Sequence, residues 1–456
     1  EDTMDIKHFL SDPEENEAFI TGPAGSGKTT ALIEVVKQLN DMGVKYRVVA
    51  YTHKAKDVLI SKLPDDTDIS TLHSWLKKRP GINEKAKSLK ALVTTMQFGQ
   101  PVYIQLLIVD EFSFVGEKDY YSIGKLQDQL ELNYWEHPNN HCENAGTTLP
   151  ANPYRSPDEI PADEVVPICE HCGKPYSRVC IPPIKVLYVG DLNQLSPVDG
   201  PSAVYPHEPY WRKLTTVHRT HNTLTQPLAL LVDMMEGRRK QAYLEPTEDF
   251  IRKVDIVELY KQDKDEDKIM LAYTNQRVQE INALIQGRAE PQPGDKLYDS
   301  SLKQFIEIEG IHNTWKWECK TVNGVISPDT KFNPLRLLNN LDFVKFYQIS
   351  EYVAIPAIFG MFENKKIRED IGRELVEKNK AGLDSKAQYR LYKTISDYVS
   401  ILDFAHCVTI HKSQGSEYNH VYVDSQDLSR CFDQSERMRL LYVSISRARE
   451  KCYLSN

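Results

Sequence analysis

Short apolar runs alternate with segments of helical periodicity along the first half of the chain. The runs are rich in β-branched residues and comprise residues 17–21, 46–51, 105–109 and 185–190. Runs that are apolar at successive positions are typical of parallel strands buried on both faces. The helical segments between them supply the crossovers that parallel strands need. The pattern therefore predicts an α/β domain built on a parallel sheet.

The same alternation returns later in the chain and predicts a second α/β domain. Its apolar runs are residues 268–273, 405–410, 421–423 and 451–454. The pattern divides the chain into a first domain (1–76, 104–130, 184–215), insertions in it (77–103 and 131–183), a second domain (216–290 and 397–456) and an insertion in that domain (291–396).

The three insertions differ in character. Residues 77–103 are basic and polar, and residues 131–183 are rich in Pro, Asn, Cys and His without a helical period, which indicates loop. The third insertion holds β-like runs and then a charged helical stretch at about 365–393. Trp315 and Trp317 alternate as in a strand, so we expect both to point the same way, toward nucleic acid or into the core of a small SH3-like barrel.

Composition sets the class of protein. A chain of 456 residues is long enough for two or three domains. It contains neither a long apolar run nor the pattern of a secretory signal, so we expect a cytoplasmic protein without a membrane segment. A net charge of -9 argues against a protein that coats nucleic acid by bulk attraction. Any nucleic-acid site must therefore be local.

A phosphate-binding loop lies between the first predicted strand and a predicted helix at 30–39. The loop matches G-x-x-x-x-G-K-[ST], and we expect it to hold ATP through Gly22, Pro23, Ala24, Gly25, Ser26, Gly27, Lys28, Thr29 and Thr30. Small residues let backbone N–H groups converge on phosphate oxygens at a helix N-terminus. Lys28 would neutralise the β and γ phosphates, and the Thr29 hydroxyl would bind Mg²⁺.

Two adjacent acids, Asp110 and Glu111, follow the third apolar run. A phosphate loop needs an acidic partner at the end of a neighbouring strand. We assign Asp110 to Mg²⁺ and Glu111 to the attacking water as general base. Without the loop, such a pair would equally well be a surface turn.

Further motifs resemble one family. They stand in the order of motifs Ia, Ib, III, IV, V and VI of superfamily 1 helicases, at residues 50–55, 70–74, 189–198, 216–219, 408–417 and 441–449. The chain resembles that superfamily along nearly all its length, and most of all its RecD-like and phage Dda-like branch.

The resemblance implies two RecA-like domains with ATP in the cleft between them and movement 5′ to 3′ along single-stranded DNA. It implies single-stranded DNA and single-strand/duplex junctions as partners, a monomeric motor, and replication or recombination proteins nearby, in the host cytoplasm if the protein is viral.

The resemblance also implies residue roles. Gln194 would sense the γ-phosphate, and Gly415 and Glu417 would lie at the ribose. Arg219 and Arg447 would bring positive charge to the transferred phosphoryl group, which couples hydrolysis to domain closure. The motif of Arg219 is short, so a solvated or ion-paired arginine is its alternative.

The positions that touch DNA in the superfamily hold Thr and His here. They are Thr52, His53, Thr71, His73, Thr409 and His411. Such donors suit phosphate contacts without sequence information, although isolated Thr and His residues are more often structural. By position, residues 77–103 resemble the pin that separates strands, with Phe98 or Tyr103 stacking on the last base pair or packing within the hairpin itself.

One departure concerns the adenine. Superfamily members carry a Gln upstream of the phosphate loop, and residues 1–19 contain none. Either that residue lies before Glu1, or ATP is held chiefly by its phosphates and ribose.

The insertion 131–183 contains metal-ligand residues. Cys169, Cys172 and Gly173 form a C-x₂-C-G knuckle, in which two thiolates reach one tetrahedral ion. We expect Cys142 and Cys180 to complete a structural Zn²⁺ site, with His141 or His137 as substitutes. Four reduced cysteines without metal are the alternative. The nearby bases Lys174, Arg178 and Lys185 suggest contact with DNA or with a partner protein.

Two other functions compete with the helicase prediction. One is a translocase or RNA-directed motor that never separates DNA strands. The other is a zinc-bearing scaffold or loader that uses ATP as a switch. Duplex unwinding distinguishes the first, and multiple turnovers stimulated by single-stranded DNA exclude the second.

Overall fold

Packing divides the chain into two units, Glu1–Thr220 and His221–Asn456. The computed structural model describes residues 5–76, 92–97, 100–128, 132–137, 141–197, 200–215, 223–240, 243–253, 255–302, 304–321, 324–328, 334–339, 344–360 and 398–455. Within these ranges no helix is both long and apolar enough to cross a bilayer.

Unit 1 contains strands of a large sheet and of two small insertions. The strands are β1 Glu17–Thr21, β2 Tyr46–Ala50, β3 Ile69–Thr71, β4 Thr94–Gln97, β5 Gln100–Tyr103, β6 Leu106–Asp110, β7 Asn133–Glu136, β8 Thr148–Pro150, β9 Ser177–Cys180, β10 Lys185–Gly190 and β11 Trp211–Lys213. The helices are α1 Ile6–Ser11, α2 Lys28–Asp41, α3 His53–Lys62, α4 Leu72–Leu76 and α5 Glu117–Gly124, with 3-10 turns at Phe112–Phe114 and Pro157–Glu159.

The main sheet of unit 1 is parallel, as the apolar runs predict. Its order is β11-β1-β10-β6-β2-β3, and every pairing along it is parallel. Successive residues of its strands enter two different cores. In β6, Leu106 and Ile108 belong to one core, whereas Leu107 and Val109 belong to the other. Both faces are therefore covered, which explains why the strand is apolar at successive positions.

The first insertion ends in a β-hairpin. Strands β4 and β5 pair antiparallel, with Thr94 opposite Tyr103. Tyr103 packs partly buried against the core of unit 1, which favours the packing alternative for this ring. Residues 77–91 and Phe98 lie outside the described residues, so the role of Phe98 stays a prediction.

The cysteine-rich insertion is not only loop, contrary to the expectation from its composition. Strand β7 pairs antiparallel with both β8 and β9. These strands are only three or four residues long, too short to give a strong periodic signal in the sequence.

Unit 2 contains a second parallel sheet and a mixed sheet. The strands are β12 Phe250–Lys253, β13 Lys268–Ala272, β14 Lys296–Asp299, β15 Gln304–Glu307, β16 Gly310–His312, β17 Glu318–Thr321, β18 Gly324–Ile326, β19 Lys345–Ser350, β20 Val353–Phe359, β21 Ser400–Phe404, β22 Cys407–Thr409, β23 Tyr418–Val423 and β24 Ala448–Ser455. The helices are α6 Thr225–Met235, α7 Ile256–Gln262, α8 Asn275–Gln286, α9 Pro334–Leu338, α10 Ser425–Leu428 and α11 Gln434–Ser446, with a 3-10 turn at Ile410–Ser413.

The parallel sheet of unit 2 confirms the second predicted α/β domain. Its order is β12-β24-β23-β13-β22, again with every pairing parallel. Met270 and Cys407 of this sheet pack with Ile256 of α7 and Ile281 of α8. The core therefore joins strands and covering helices, as in unit 1.

The insertion in unit 2 forms a mixed sheet. Its pairing runs β15-β14-β21-β20-β17-β18, with β16 and β19 joined through β20. Strand β21 continues to Phe404, past the predicted end of the insertion at residue 396. Most of the predicted helical stretch near 365–393 falls outside the described residues.

The expectation that Trp315 and Trp317 point the same way is wrong. They lie in the loop before β17 rather than in a strand, so strand alternation does not apply to them. Trp315 is 3% exposed within the core of the mixed sheet, whereas Trp317 is 46% exposed. Their rings meet edge to face, with centroids 5.1 Å apart.

Candidate active site and cysteine cluster

The phosphate loop of unit 1 has the backbone that its glycines allow. Gly25 and Gly27 have φ of 79° and 87°, in the left-handed region that favours glycine. At Gly22 a Cβ would lie 2.4 Å from Ser26 Oγ and 2.6 Å from the Leu214 carbonyl oxygen, so no side chain fits there. Helix α2 begins directly after Gly27, and its first N–H groups have no partners within the helix. The loop therefore presents an anion site.

The Lys28 side chain folds back over this loop. Its Nζ donates to the carbonyl oxygens of Gly22 at 2.7 Å and Pro23 at 2.9 Å. The ammonium group therefore lies at the loop, where phosphate oxygens of a bound nucleotide could take the place of the two carbonyl oxygens as acceptors.

Strand register brings the predicted acids to the same edge of the sheet. Thr21 at the end of β1 lies opposite Gly190 of β10, and Val189 of β10 lies opposite Asp110 of β6. Because parallel strands end at one edge, the phosphate loop, Asp110 and the turn after Gly190 are neighbours. The structure therefore brings together the residues that the two sequence motifs single out.

The Asp110 carboxyl group has an unusual environment. Burial and the neighbouring Glu111 raise its pKa, Lys28 opposes both effects, and the resulting pKa is about 7. Glu111 itself has φ of 60°, a left-handed conformation that side chains rarely adopt. Such strain is found at functional sites, where the surrounding structure enforces it.

Gln194 lies in a tight turn after β10. Its N–H donates to the Asp191 carbonyl oxygen at 3.3 Å, and the Asn193 N–H donates to Asp191 Oδ1 at 2.9 Å. The Gln194 side chain is 3% exposed. A Cβ on Gly190 would lie 2.7 Å from the Phe112 ring, so the segment after Glu111 packs directly on this strand end.

Unit 2 brings its own candidate residues together. The Arg447 guanidinium is buried and donates to the carbonyl oxygens of Ser416 at 3.2 Å and Val443 at 3.3 Å. This links Arg447 to the segment that holds Gly415, with φ of 75°, and the exposed Glu417. Arg219 lies outside the described residues.

The three candidate DNA-binding threonines share a structural role. Each hydroxyl accepts a hydrogen bond from the backbone N–H three residues later, at the start of a helix or 3-10 turn. The pairs are Thr52 with Ala55 at 3.1 Å, Thr71 with Ser74 at 3.2 Å and Thr409 with Lys412 at 3.3 Å. Helix capping, the structural alternative, is therefore what these hydroxyls do in this structure.

The candidate histidines are also placed by the fold. His73 Nε2 lies 3.2 Å from Asp119 Oδ2, and its ring packs edge-on against Tyr51. Burial lowers the pKa of His411, whose ring centroid lies 6.5 Å from that of Tyr273. His53 begins α3, but its side chain is outside the described part of the chain.

Four potential metal ligands meet in the cysteine-rich insertion. The ligand atoms of His137, Cys142, Cys169 and Cys172 all lie within 4.8 Å of one another and could hold a metal ion. Cys180 is not among them, which corrects the ligand set expected from the sequence. Its Sγ lies 3.5 Å from the Tyr154 carbonyl oxygen. Of the two substitutes, His137 belongs to the group and the exposed His141 does not.

Asn144 was missed by sequence reasoning. Its Nδ2 donates to Cys169 Sγ at 3.4 Å, and this hydrogen bond is the largest of several that together lower the pKa of Cys169 to about 6. An Asn two residues after Cys142 and two before Gly146 is a common turn pattern, and that pattern was the available signal.

Two of the three bases near this cluster are used internally. Arg178 Nε donates to Glu164 Oε2 at 2.9 Å, and its guanidinium lies over the Trp135 ring. Lys185 donates to the carbonyl oxygens of Asp12 and Glu15. Of these three, Lys174 remains an exposed side chain.

Two family models match the chain. A AAA domain matches residues 10–132, which include the phosphate loop, Asp110 and Glu111. A UvrD-like helicase C-terminal domain matches residues 404–455, which include Glu417 and Arg447. The chain therefore carries a segment similar to a AAA domain, followed by a segment similar to a UvrD-like helicase C-terminal domain.

A viral relative matches a short part of the chain. Uncharacterized protein R530 of Acanthamoeba polyphaga mimivirus is 42% identical over 59 residues, which are 13% of this chain and 12% of that protein. The match thus spans about an eighth of that relative's length.

Solved structures similar to this chain include two of Pif1 helicases. Pif1 helicase from Bacteroides in complex with ADP-AlF3 and ssDNA has a TM-score of 0.45 and 17% identity, covering 99% of this chain and 90% of that chain. Pif1 helicase from Candida albicans has a TM-score of 0.43 and 14% identity, covering 99% and 93%.

Proposed function

We propose that this protein is a superfamily 1 DNA helicase, which hydrolyses ATP to move 5′ to 3′ along single-stranded DNA and to separate duplex DNA at junctions. The observation that carries the proposal is the phosphate loop beside Asp110 and Glu111, in one chain with a helicase C-terminal segment. The polarity is supported by the resemblance to the RecD-like branch, as are a monomeric motor, a cytoplasmic location and contacts with replication or recombination proteins.

Unit 1 would supply the hydrolytic groups. The loop N–H groups and Lys28 would bind the phosphates, and Thr29 and Asp110 would hold Mg²⁺, which neutralises phosphate charge when bound. Glu111 would orient and deprotonate the attacking water. The pKa of Asp110 is raised without a metal ion, and a bound Mg²⁺ would lower it again by favouring the charged carboxylate.

Unit 2 would supply the positive charge that the transition state needs. We propose Arg447, with Arg219, as the cations that reach the γ-phosphate when ATP is bound, while Gln194 senses that phosphate. The hydrogen bonds from Arg447 to Ser416 and Val443 would make the segment with Gly415 and Glu417 move together with Arg447. We propose that this segment binds the ribose.

The DNA contacts would lie at strand ends of both units. We propose Thr52, His53, Thr71 and His73 in unit 1, and Thr409 and His411 in unit 2. Each threonine hydroxyl oxygen accepts its capping hydrogen bond through a lone pair, so its O–H group can still donate to a phosphate, beside the backbone N–H groups of the first turn. Phe98 would meet the duplex.

Zinc has no part in this reaction. We propose a Zn²⁺ ion at the cysteine cluster with a structural role only, because four protein ligands leave no coordination position for chemistry.

Unwinding of tailed duplexes tests the proposal. With ATP and Mg²⁺, a DNA duplex with a 5′ tail should be unwound and one with a 3′ tail should not, and matched RNA duplexes show the preference for DNA. Unwinding of only the 3′-tailed duplex would overturn the polarity. ATP turnover without unwinding would favour a translocase, and absence of multiple turnovers would favour an ATP-switched scaffold.

Lys28→Ala identifies the site. It should abolish DNA-stimulated ATP turnover, since it removes the cation held over the loop. Lys37→Ala is the matched control, because Lys37 is an exposed lysine of the same helix. Full activity of Lys28→Ala would contradict the assigned site.

A further inference from the structure

Apart from Leu132, Val179 and Ile181, which pack in the core of unit 1, the insertion 131–183 has little apolar material with which to fold. Its buried cluster consists of Trp135, Cys142, Cys169 and Tyr176, so two of its four members are cysteines of the metal-ligand group. One end of the small sheet packs on the core of unit 1, but the end with the cysteines has only this cluster, and short antiparallel strands with so little packing are marginal in water. Small modules of this kind need a metal or disulfides for stability.

The four ligand atoms have the spacing of a tetrahedral site. Sulfur atoms on one Zn²⁺ ion, each at about 2.3 Å from it, lie about 3.8 Å apart. Cys142 Sγ and Cys169 Sγ lie 3.9 Å apart, and His137 Nε2 lies 3.3 Å from Cys172 Sγ. We infer that His137, Cys142, Cys169 and Cys172 bind one Zn²⁺ ion and that this ion folds the insertion.

The donor set selects the metal. Three thiolates with one imidazole are typical of structural Zn²⁺ sites and unsuited to Mg²⁺ or Ca²⁺, which prefer oxygen. His137, Cys142 and Cys169 are at most 9% exposed, so water is largely kept from the ligands. The set is therefore complete without a water ligand.

The backbone forms a tight turn after Cys142 and another after Cys169. The N–H of Gly173 donates to the Cys169 carbonyl oxygen at 2.8 Å, and the N–H of Ala145 donates to the Cys142 carbonyl oxygen at 2.9 Å. Gly146 and Gly173 take left-handed φ values of 75° and 66°. The turns end where only glycine fits easily.

His137 is fixed by the small sheet. It follows β7 directly, its N–H donates to the Thr147 carbonyl oxygen at 3.1 Å, and its ring meets Tyr176 edge to face at 5.2 Å. Asn144 Nδ2, which donates to Cys169 Sγ, supports a thiolate there. Ligands held in this way lose little freedom when the ion binds.

The same sheet explains why Cys180 is excluded. Cys180 pairs with Asn133 at the start of β7, whereas His137 follows the end of that strand. Four residues of extended chain span about 13 Å, farther than one ion can bridge. Cys180 thus lies at the opposite end of the sheet and serves as a control position.

Metal content of the purified chain is the first test. We expect one Zn²⁺ per chain by elemental analysis, retained through dialysis without chelator. Replacement by Co²⁺ should give the visible bands of a tetrahedral site and the charge-transfer intensity of three thiolates. Failure to bind Zn²⁺ or Co²⁺ stoichiometrically would overturn the inference, as would a Cys142–Cys169 disulfide found by mass spectrometry of the unreduced protein.

Matched variants test the ligand set. His137→Asn and Cys172→Ser should weaken zinc binding by about tenfold or more, whereas His141→Asn and Cys180→Ala should leave it unchanged. In the Co²⁺ form, Cys180→Ala should keep the full thiolate charge-transfer intensity. A loss of that intensity would make Cys180 a ligand and overturn the assigned set.

Proteolysis tests the folding role. Chelation should expose residues 131–183 to a protease, and added Zn²⁺ should restore protection. Unchanged protection after the ion is removed would contradict the folding role. These readouts need no ATP turnover, so they stand or fall separately from the proposed helicase activity.

Discussion

The Asp110 carboxyl group carries its charge at a cost. It lies at the end of β6, burial and the neighbouring Glu111 both oppose ionisation, and its pKa is raised to about 7. A carboxyl group whose pKa rises on folding binds its proton more tightly in the folded state than in the unfolded state. Its contribution to stability is therefore present at low pH and is lost as the pH rises toward 7.

We expect Asp110→Asn to remove this dependence. Without nucleotide and with chelator, the variant should gain stability relative to the natural chain by on the order of 1–2 kcal/mol between about pH 5.5 and pH 8. Thermal unfolding across this range measures the difference. If the stability of the two proteins changed with pH in the same way, Asp110 would not be the titrating group.

Glu111 offers a second test at the residue scale. Glu111→Gln should lower ATP turnover by about 100-fold or more while nucleotide binding persists, because the variant loses only the proposed general base. Steady-state turnover and equilibrium binding separate the two effects. Glu117→Gln, in the exposed first turn of α5, is the control and should behave like the natural chain. Equal loss of binding and turnover in Glu111→Gln would point to a structural role.

At the scale of elements, a recurring feature is a threonine between a strand and the turn that follows it. Thr52 follows β2 and Thr409 ends β22, and each hydroxyl caps the next turn. The resemblance alone suggests that these hydroxyls contact DNA, whereas their hydrogen bonds give them a structural task. Both roles are compatible at one helix start, because the cap uses a lone pair of the hydroxyl oxygen and leaves the O–H group able to donate to a phosphate.

Thr52 distinguishes these roles. Thr52→Ala should destabilise the protein by about 1 kcal/mol, and Thr52→Ser should keep its stability because the cap remains. Urea unfolding and single-stranded DNA binding should be measured on both variants. Weaker DNA binding at unchanged stability in Thr52→Ala would instead favour a direct hydroxyl contact.

Charge is unevenly distributed over the whole molecule. Residues 131–183 hold eight acidic and three basic residues, so this insertion carries more than half of the net charge of -9. Two of its three bases, Arg155 and Arg178, donate hydrogen bonds inside unit 1. An acidic module repels the DNA backbone, which favours a partner protein over DNA as its contact.

We therefore expect Lys174→Glu to leave affinity for single-stranded DNA unchanged within about twofold. Fluorescence anisotropy at low and moderate salt measures this affinity. Lys185→Glu is not a suitable comparison, because Lys185 is bonded inside the unit. A tenfold loss in Lys174→Glu would restore the hypothesis that the insertion contacts DNA.

Sequence alone determined the two parallel sheets and the hydrolytic half of the candidate site. Strands such as β1 and β10 coincide with the predicted apolar runs, because burial on both faces leaves an uninterrupted apolar string. The phosphate loop and the Asp110–Glu111 pair were predictable because their chemistry depends on residues that are adjacent in the chain. Local patterns are what a sequence displays directly.

Only tertiary structure decided which distant residues meet. His137 rather than Cys180 joins the cysteines because β7 and β9 run antiparallel and place these two residues at opposite ends. Trp315 is buried and Trp317 is exposed because they lie in a loop, where residues two apart in the chain need not face the same side. Cap bonds of Thr52, Thr71 and Thr409 likewise depend on where each helix begins. Such outcomes follow from register and packing between segments far apart in the chain, which local residue patterns do not encode.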